Sequence, residues 1–173
     1  MVQKSTWKPL IWLAVWGLFV PSVWAEDTRA LALKGAYLYN FTKFVYWPNE
    51  KQSFVDLCIW GDEPLRLVMN RMLKGKKARG RSVRIFGASH KGATCDLLYL
   101  GMQWQGDQNS LQALNRKGRL TASPHPEFFQ WGGMVQLITH KNKLRFRIHQ
   151  AHAEAQSVKF NSKLMQLALD VVR

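Results

Sequence analysis

Phe54-Val-Asp-Leu-Cys-Ile-Trp60, followed at once by Gly61-Asp-Glu-Pro64, decides how this chain is built. Seven mostly apolar residues bounded by turn formers read as a buried strand. Asp62 then suits the position just before a helix, where its carboxylate accepts free backbone N–H groups. Pro64 suits the first helical turn, where its missing N–H costs nothing. The spacing therefore predicts a helix over 65–73 and a strand-to-helix unit near the middle of the chain.

The same alternation extends in both directions. Upstream, a helix is expected from Asp27-Thr28, with Leu31, Tyr37, Leu38, Phe41, Phe44 and Val45 on its apolar face. It should end at Trp47-Pro48, because proline disfavours helical geometry in the residue before it. Downstream, Arg81 to Phe86 alternates as a strand does. Asp96 to Leu100 reads as a second buried strand, ended by Gly101. A helix over 109–115, capped by Asn109 or Ser110, precedes a short strand over 119–122. Glu127 to Trp131 reads as one helical turn, stopped by Gly132-Gly133. Met134 to Thr139 and Lys143 to Ile148 pair as a hairpin across Lys141-Asn142. A helix near 149–155 and another over 162–172, with Leu164, Leu167, Ala168 and Val171 inward, close the chain. No repeat, low-complexity tract or linker interrupts it. The expected fold is a single α/β domain, a mixed β-sheet with helices on both faces.

The first 25 residues are expected to lie outside that domain. Lys4 and Lys8 form a basic start, and Leu10 to Val20 is apolar and uncharged. Val23-Trp24-Ala25 places small residues at both positions that a signal peptidase reads. Residues 1–25 are therefore read as a secretory signal peptide, leaving Glu26 to Arg173 as the exported domain. The apolar run is short for a bilayer crossing, which takes about 20 residues.

Export changes how the charge is read. The whole chain carries +14, and of its basic residues only Lys4 and Lys8 lie in the leader. Such a field usually indicates nucleic acid. An exported protein meets phospholipid headgroups, acidic polysaccharide or acidic protein faces instead. Lys74, Lys76, Lys77, Arg79, Arg81 and Arg84 cluster, either as a solvated loop or as a contact for an anionic surface. The two cysteines, Cys58 and Cys95, form no CxxC, so a structural disulfide is expected rather than a redox pair.

Motifs for catalysis are wanting. Gly87-Ala-Ser89-His90-Lys91 has lysine where a nucleophile elbow needs glycine. Gly75-Lys76 lacks the first glycine and the hydroxyl residue of a phosphate loop. No haem-attachment or zinc-protease motif occurs. His149 and His152 could share a helical face, yet beyond Glu154 and distant histidines no third ligand offers itself. No metal and no cofactor are expected. In open α/β sheets ligands favour the carboxyl ends of strands. Those loops here contain Asp62 and Glu63, then Met102 and Trp104, then Ser123 and His125. Trp104 is either a core aromatic or, if exposed, an anchor for a partner.

Several stretches, taken in order, bear a resemblance. Lys34-Gly-Ala-Tyr-Leu-Tyr-Asn-Phe-Thr-Lys-Phe-Val-Tyr-Trp-Pro48 resembles the opening signature of the YfiR-like periplasmic family. Leu57 to Pro64 and Cys95 to Leu100 resemble its two cysteine-bearing strands. Leu120 to Ser123 with Gly132 to Val135, and then Arg145 to Ile148 with Ser162 to Ala168, resemble its later segments. The resemblance implies an α/β sandwich, a Cys58–Cys95 disulfide and a homodimer. It also implies a regulator rather than an enzyme, one that binds the periplasmic sensor region of an inner-membrane diguanylate cyclase. Repression would lower cyclic di-GMP and biofilm formation, and an outer-membrane lipoprotein would relieve it. The chain lacks the family's second cysteine pair, so redox control through that pair is not implied. The competing expectation is a periplasmic small-ligand-binding module, in which strand-end loops and His125 enclose a small anion.

Overall fold

The structure is a computed structural model that describes residues 23–48, 52–88 and 95–173. Most of the expected leader lies outside the described residues, as does the Gly87 loop from Ser89 onward.

The chain opens with α1 (Val23–Phe44), which starts within the expected leader and ends three residues before Trp47. Val45 and Tyr46 form β1 instead of a last helical turn. The β-branched Val45 fits the extended backbone, and a partner strand late in the chain supplies the pairing. β2 (Phe54–Trp60) has the expected bounds and leads into α2 (Glu63–Met72). Asp62 caps α2 through Leu65 N, and Pro64 sits in its first turn. A short β3 (Lys77–Ala78), not foreseen, turns back into β4 (Arg81–Phe86). β5 (Leu97–Leu100) is followed by α3 (Gln108–Leu114), whose cap is Asp107 rather than Asn109 or Ser110. Asp107 accepts from both the backbone N and the hydroxyl of Ser110, so the cap lies two residues before Asn109.

β6 (Leu120–Ser123) leads into a run of turns, in which Trp131 N donates to Glu127 O at 3.1 Å as the single expected helical turn, and then to β7 (Val135–His140) and β8 (Lys143–His149). Lys141 and Asn142 both take positive φ, 48° and 57°, as a two-residue hairpin turn requires. α4 (Gln150–Ala155) and β9 (Lys159–Phe160) follow. The expected last helix divides into α5 (Ser162–Leu167) and β10 (Asp170–Val172). The open edge of β8 wins there: β10 pairs with it in parallel, and Arg147 holds Asp170 at 2.8 Å. Leu167, expected to face inward, is 55% exposed.

Among the described residues eight strands form one sheet in the order β10-β8-β7-β6-β5-β2-β4-β3. β4, β2, β5, β6 and β7 run parallel to their neighbours in that series, while β3 and β8 run antiparallel to β4 and β7. β1 and β9 form a separate antiparallel pair. Alternation in the central strands sends residues to two cores. Leu57, Ile59, Leu97, Tyr99, Leu120 and Ala122 meet Leu38 and Phe41 of α1, Leu65 and Met69 of α2 and Leu164 of α5. Cys58, Leu98 and Leu100 meet Leu111 of α3 and Phe128 on the other face. The fold is thus α/β, a mixed sheet covered on both faces.

Cys58 and Cys95 are bonded, with Cα atoms 5.7 Å apart, inside the second core. The bond closes a loop of sequence separation 37. On the chain-entropy account this loop size stabilises the fold by about 4 kcal/mol. Replacing both cysteines with alanine is expected to lower the urea-unfolding free energy by about that amount. A loss well under about 1 kcal/mol would assign the bond little role in restraining the unfolded chain.

Candidate functional site

The carboxyl ends of β2, β5 and β6 bring together the loops singled out from the sequence. Trp60 lies beside Leu100, and Tyr99 beside Ala122, so the three strands finish almost level. The first two loops lie backbone against backbone. Gly101 N donates to Trp60 O at 2.7 Å, and Gln103 N donates to Gly61 O at 3.2 Å. Gly61 has φ of 69°, and a Cβ there would strike the Trp104 backbone. A Cβ on Gly101 would strike Gly61 O. Both positions need glycine for close approach, and the crossing leaves no room for a ligand between the two loops.

Asp62 is committed to structure. One carboxylate oxygen accepts from Leu65 N at 3.2 Å, and the other from Lys34 Nζ at 3.0 Å. The Tyr99 hydroxyl reaches the same oxygen at 3.5 Å. Burial, and then the Asp62 charge, push the Tyr99 phenol well above its ordinary range, so it remains a donor. Glu63 is exposed and forks with Arg66, whose hydrogen bond holds its carboxyl below the usual range. Such a surface pair contributes little.

The third loop adds aromatic surface. Trp104 is half-buried and packs edge-on to Trp131, with centroids 6.4 Å apart. The His125 ring lies over Trp131 at 4.2 Å. Ser123, buried, receives the His125 backbone N–H on its hydroxyl oxygen. Gln136 Nε2 donates to the carbonyls of His125 and Pro126, fixing the turn from beneath. Met102, two residues before Trp104 in the same loop, is 61% exposed. The structure therefore joins Met102, Trp104 and His125 into one rim, while Asp62, Glu63 and Ser123 serve local structure. The arrangement sets an exposed methionine near three half-buried rings, of which Trp104 and Trp131 pack against the second core.

Trp131 is the hub that the sequence reading missed. The sequence places it at the end of a helical turn, and the adjacent Gly132-Gly133 is the signal that this turn is packed tightly. A Cβ on Gly133 would collide with the Phe128 ring. Phe129 of the same turn meets His149 edge-on at 5.4 Å, and the Arg147 guanidinium lies 5.4 Å from its centroid. His149 and His152 are engaged in local structure. Their rings stack at 3.4 Å, and His149 Nδ1 accepts from His152 N as the cap of α4. Among the described residues no group of three His, Cys, Asp or Glu side chains is placed to hold a metal ion.

The family described as YfiR/HmsC-like matches residues 31–169. The chain belongs to that family. No curated protein matches it. The YfiR/HmsC-like match includes all of the segments whose resemblance was noted, and both cysteines. Its opening signature is the second half of α1 with β1, and Lys34 at the start of that signature is the residue that grips Asp62.

Two outcomes follow from this geometry. Asp62→Ala removes a helix cap and strands Lys34, for an expected loss of about 1–2 kcal/mol in unfolding free energy. Asp62→Asn, which keeps the cap, should recover part of it. His149 is held below the ordinary histidine range by burial and then by the neighbouring His152. Its neutral form is favoured by folding, so its contribution is complete above the unfolded value near 6.5 and is lost as pH falls through the folded value. Thermal melts between about pH 8 and 5 should show that slope, flattened in His149→Asn.

Proposed function

We propose that the protein is a periplasmic regulator that binds the sensor region of an inner-membrane diguanylate cyclase and holds it inactive. Membership of the YfiR/HmsC-like family over residues 31–169 is the observation behind this reading. A buried disulfide agrees with an oxidising compartment. No helix among the described residues is long and apolar enough to cross a membrane. Export would depend on residues 1–25 acting as a signal peptide, with the domain formed by residues 26–173. The regulator acts by contact and as a homodimer, and an outer-membrane lipoprotein would compete for it. Cyclic di-GMP and biofilm formation fall while the complex persists.

The rim of Met102, Trp104 and His125 is the surface proposed to meet the cyclase. Tryptophan and methionine are enriched at interface centres. Met102 already lies in solvent, so a partner can cover it without rearranging the fold.

Deleting the gene should raise cellular cyclic di-GMP, and the full chain, but not one lacking residues 1–25, should restore it. An unchanged level on deletion would count against repression. Met102→Glu is expected to leave the melting temperature within about 2 °C of the parent, since exposed substitutions change stability little. It should nevertheless fail to restore the repressed level. Full repression by that variant would remove the rim from the interface.

A further inference from the structure

At the amino-terminal end of the sheet, away from the rim, a cavity of about 150 Å³ is lined by Thr42, Trp47, Ala78, Arg79 and Arg81. At about 30 Å³ per water it has room for more than a single solvent molecule. Arg81 is only 6% exposed. Its Nε and Nη2 both donate to the Phe54 carbonyl, at 3.0 and 2.5 Å, and Nη2 lies 3.4 Å from an Asp96 carboxylate oxygen. Among the described residues Nη1 is buried with no partner. A guanidinium donor withdrawn from water without an acceptor is costly.

The neighbouring carboxylates are already engaged. Asp56 is forked by Arg84, at 2.7 Å to each oxygen. The Asp96 oxygen facing Arg81 also accepts the Asp56 backbone N–H at 2.8 Å. The surroundings add positive charge. Arg79 stands at the cavity with its guanidinium 4.8 Å from the Tyr46 ring centroid, and Lys74, Lys76 and Lys77, exposed, precede the lining residue Ala78 in the chain. The missing partner is therefore an acceptor, and the local field selects an anionic one.

We propose that this cavity binds a phosphate-type oxyanion, held by Arg81 Nη1 and drawn in by Arg79 and the lysines of 74–77. The group could be free phosphate or the phosphodiester of an anionic lipid headgroup. This site is independent of the proposed cyclase contact.

The test is ¹⁵N-edited NMR of the full chain titrated with inorganic phosphate, against chloride at equal ionic strength. Saturable shifts of the Trp47 indole N–H and the Arg81 Nε–H, absent with chloride, are expected. Arg81→Lys keeps the charge but loses the fork, and should weaken phosphate binding about tenfold or more. Ala78→Leu fills the cavity while sparing the Arg81 bonds to Phe54, and should abolish the shifts. Cosedimentation with phosphatidylglycerol vesicles, against phosphatidylcholine, separates the sources. Pelleting that Ala78→Leu reduces assigns the headgroup; phosphate shifts without such pelleting assign the free oxyanion. If wild-type Trp47 and Arg81 respond alike to phosphate and chloride, and Ala78→Leu pellets like the parent, the proposal is overturned and Nη1 is served by water.

Discussion

The pairing of β2 with β5 is the constraint on which the rest of the molecule depends. β2 is flanked by parallel neighbours on both sides, β4 and β5. Parallel strands cannot be joined by a tight turn, so both pairings are made across long connections whose closure costs entropy. The disulfide reduces that cost on the face of α3, while on the other face α1 and α2 cover the same strands. Where the two strands end, Gly61 and Gly101 let their backbones touch. The rim stands on this junction through backbone bonds at Gly61 and Gly101 and through the buried side chains of Ser123 and Gln136 under His125.

Charge is arranged differently at the two ends of these strands. At the carboxyl ends, Asp62 unites a helix cap, Lys34 and the Tyr99 hydroxyl. At the amino ends, Arg81 and Arg84 pair with Asp96 and Asp56, and Arg79 lies at the cavity beside Arg81. A sheet with both faces covered offers its ends for recognition. Here one end presents aromatic and sulfur surface, and the other presents guanidinium groups.

The central strand-to-helix unit was legible because local signals and tertiary packing agree in it. β2 has its expected bounds, and Asp62 caps α2 as its spacing suggested. The hairpin at Lys141-Asn142 was legible for the same reason. What failed was whatever depends on a distant partner. Val45-Tyr46 continues a helical pattern and becomes strand only because Lys159-Phe160 lies alongside. Val171 fits a helical stripe, yet β8 has an unfilled edge that draws Asp170 to Val172 into the sheet. The site divides likewise. Its loops follow from strand polarity, but Trp131 enters through a turn packing that no local periodicity encodes.

The small pairing of β1 with β9 has a kinetic consequence. It is only two residue pairs long, and it joins Val45 to Phe160. Asn161 reinforces it through the Tyr46 hydroxyl, across a separation of 115 residues. Contacts between such remote segments slow folding, because the closure entropy is lost before the contact is gained. So short a seam returns little stability of its own, which places its closure late and its opening early. The β1–β9 seam should then open locally while the buried side chains of α1 and α5 and the disulfide-bound centre stay packed.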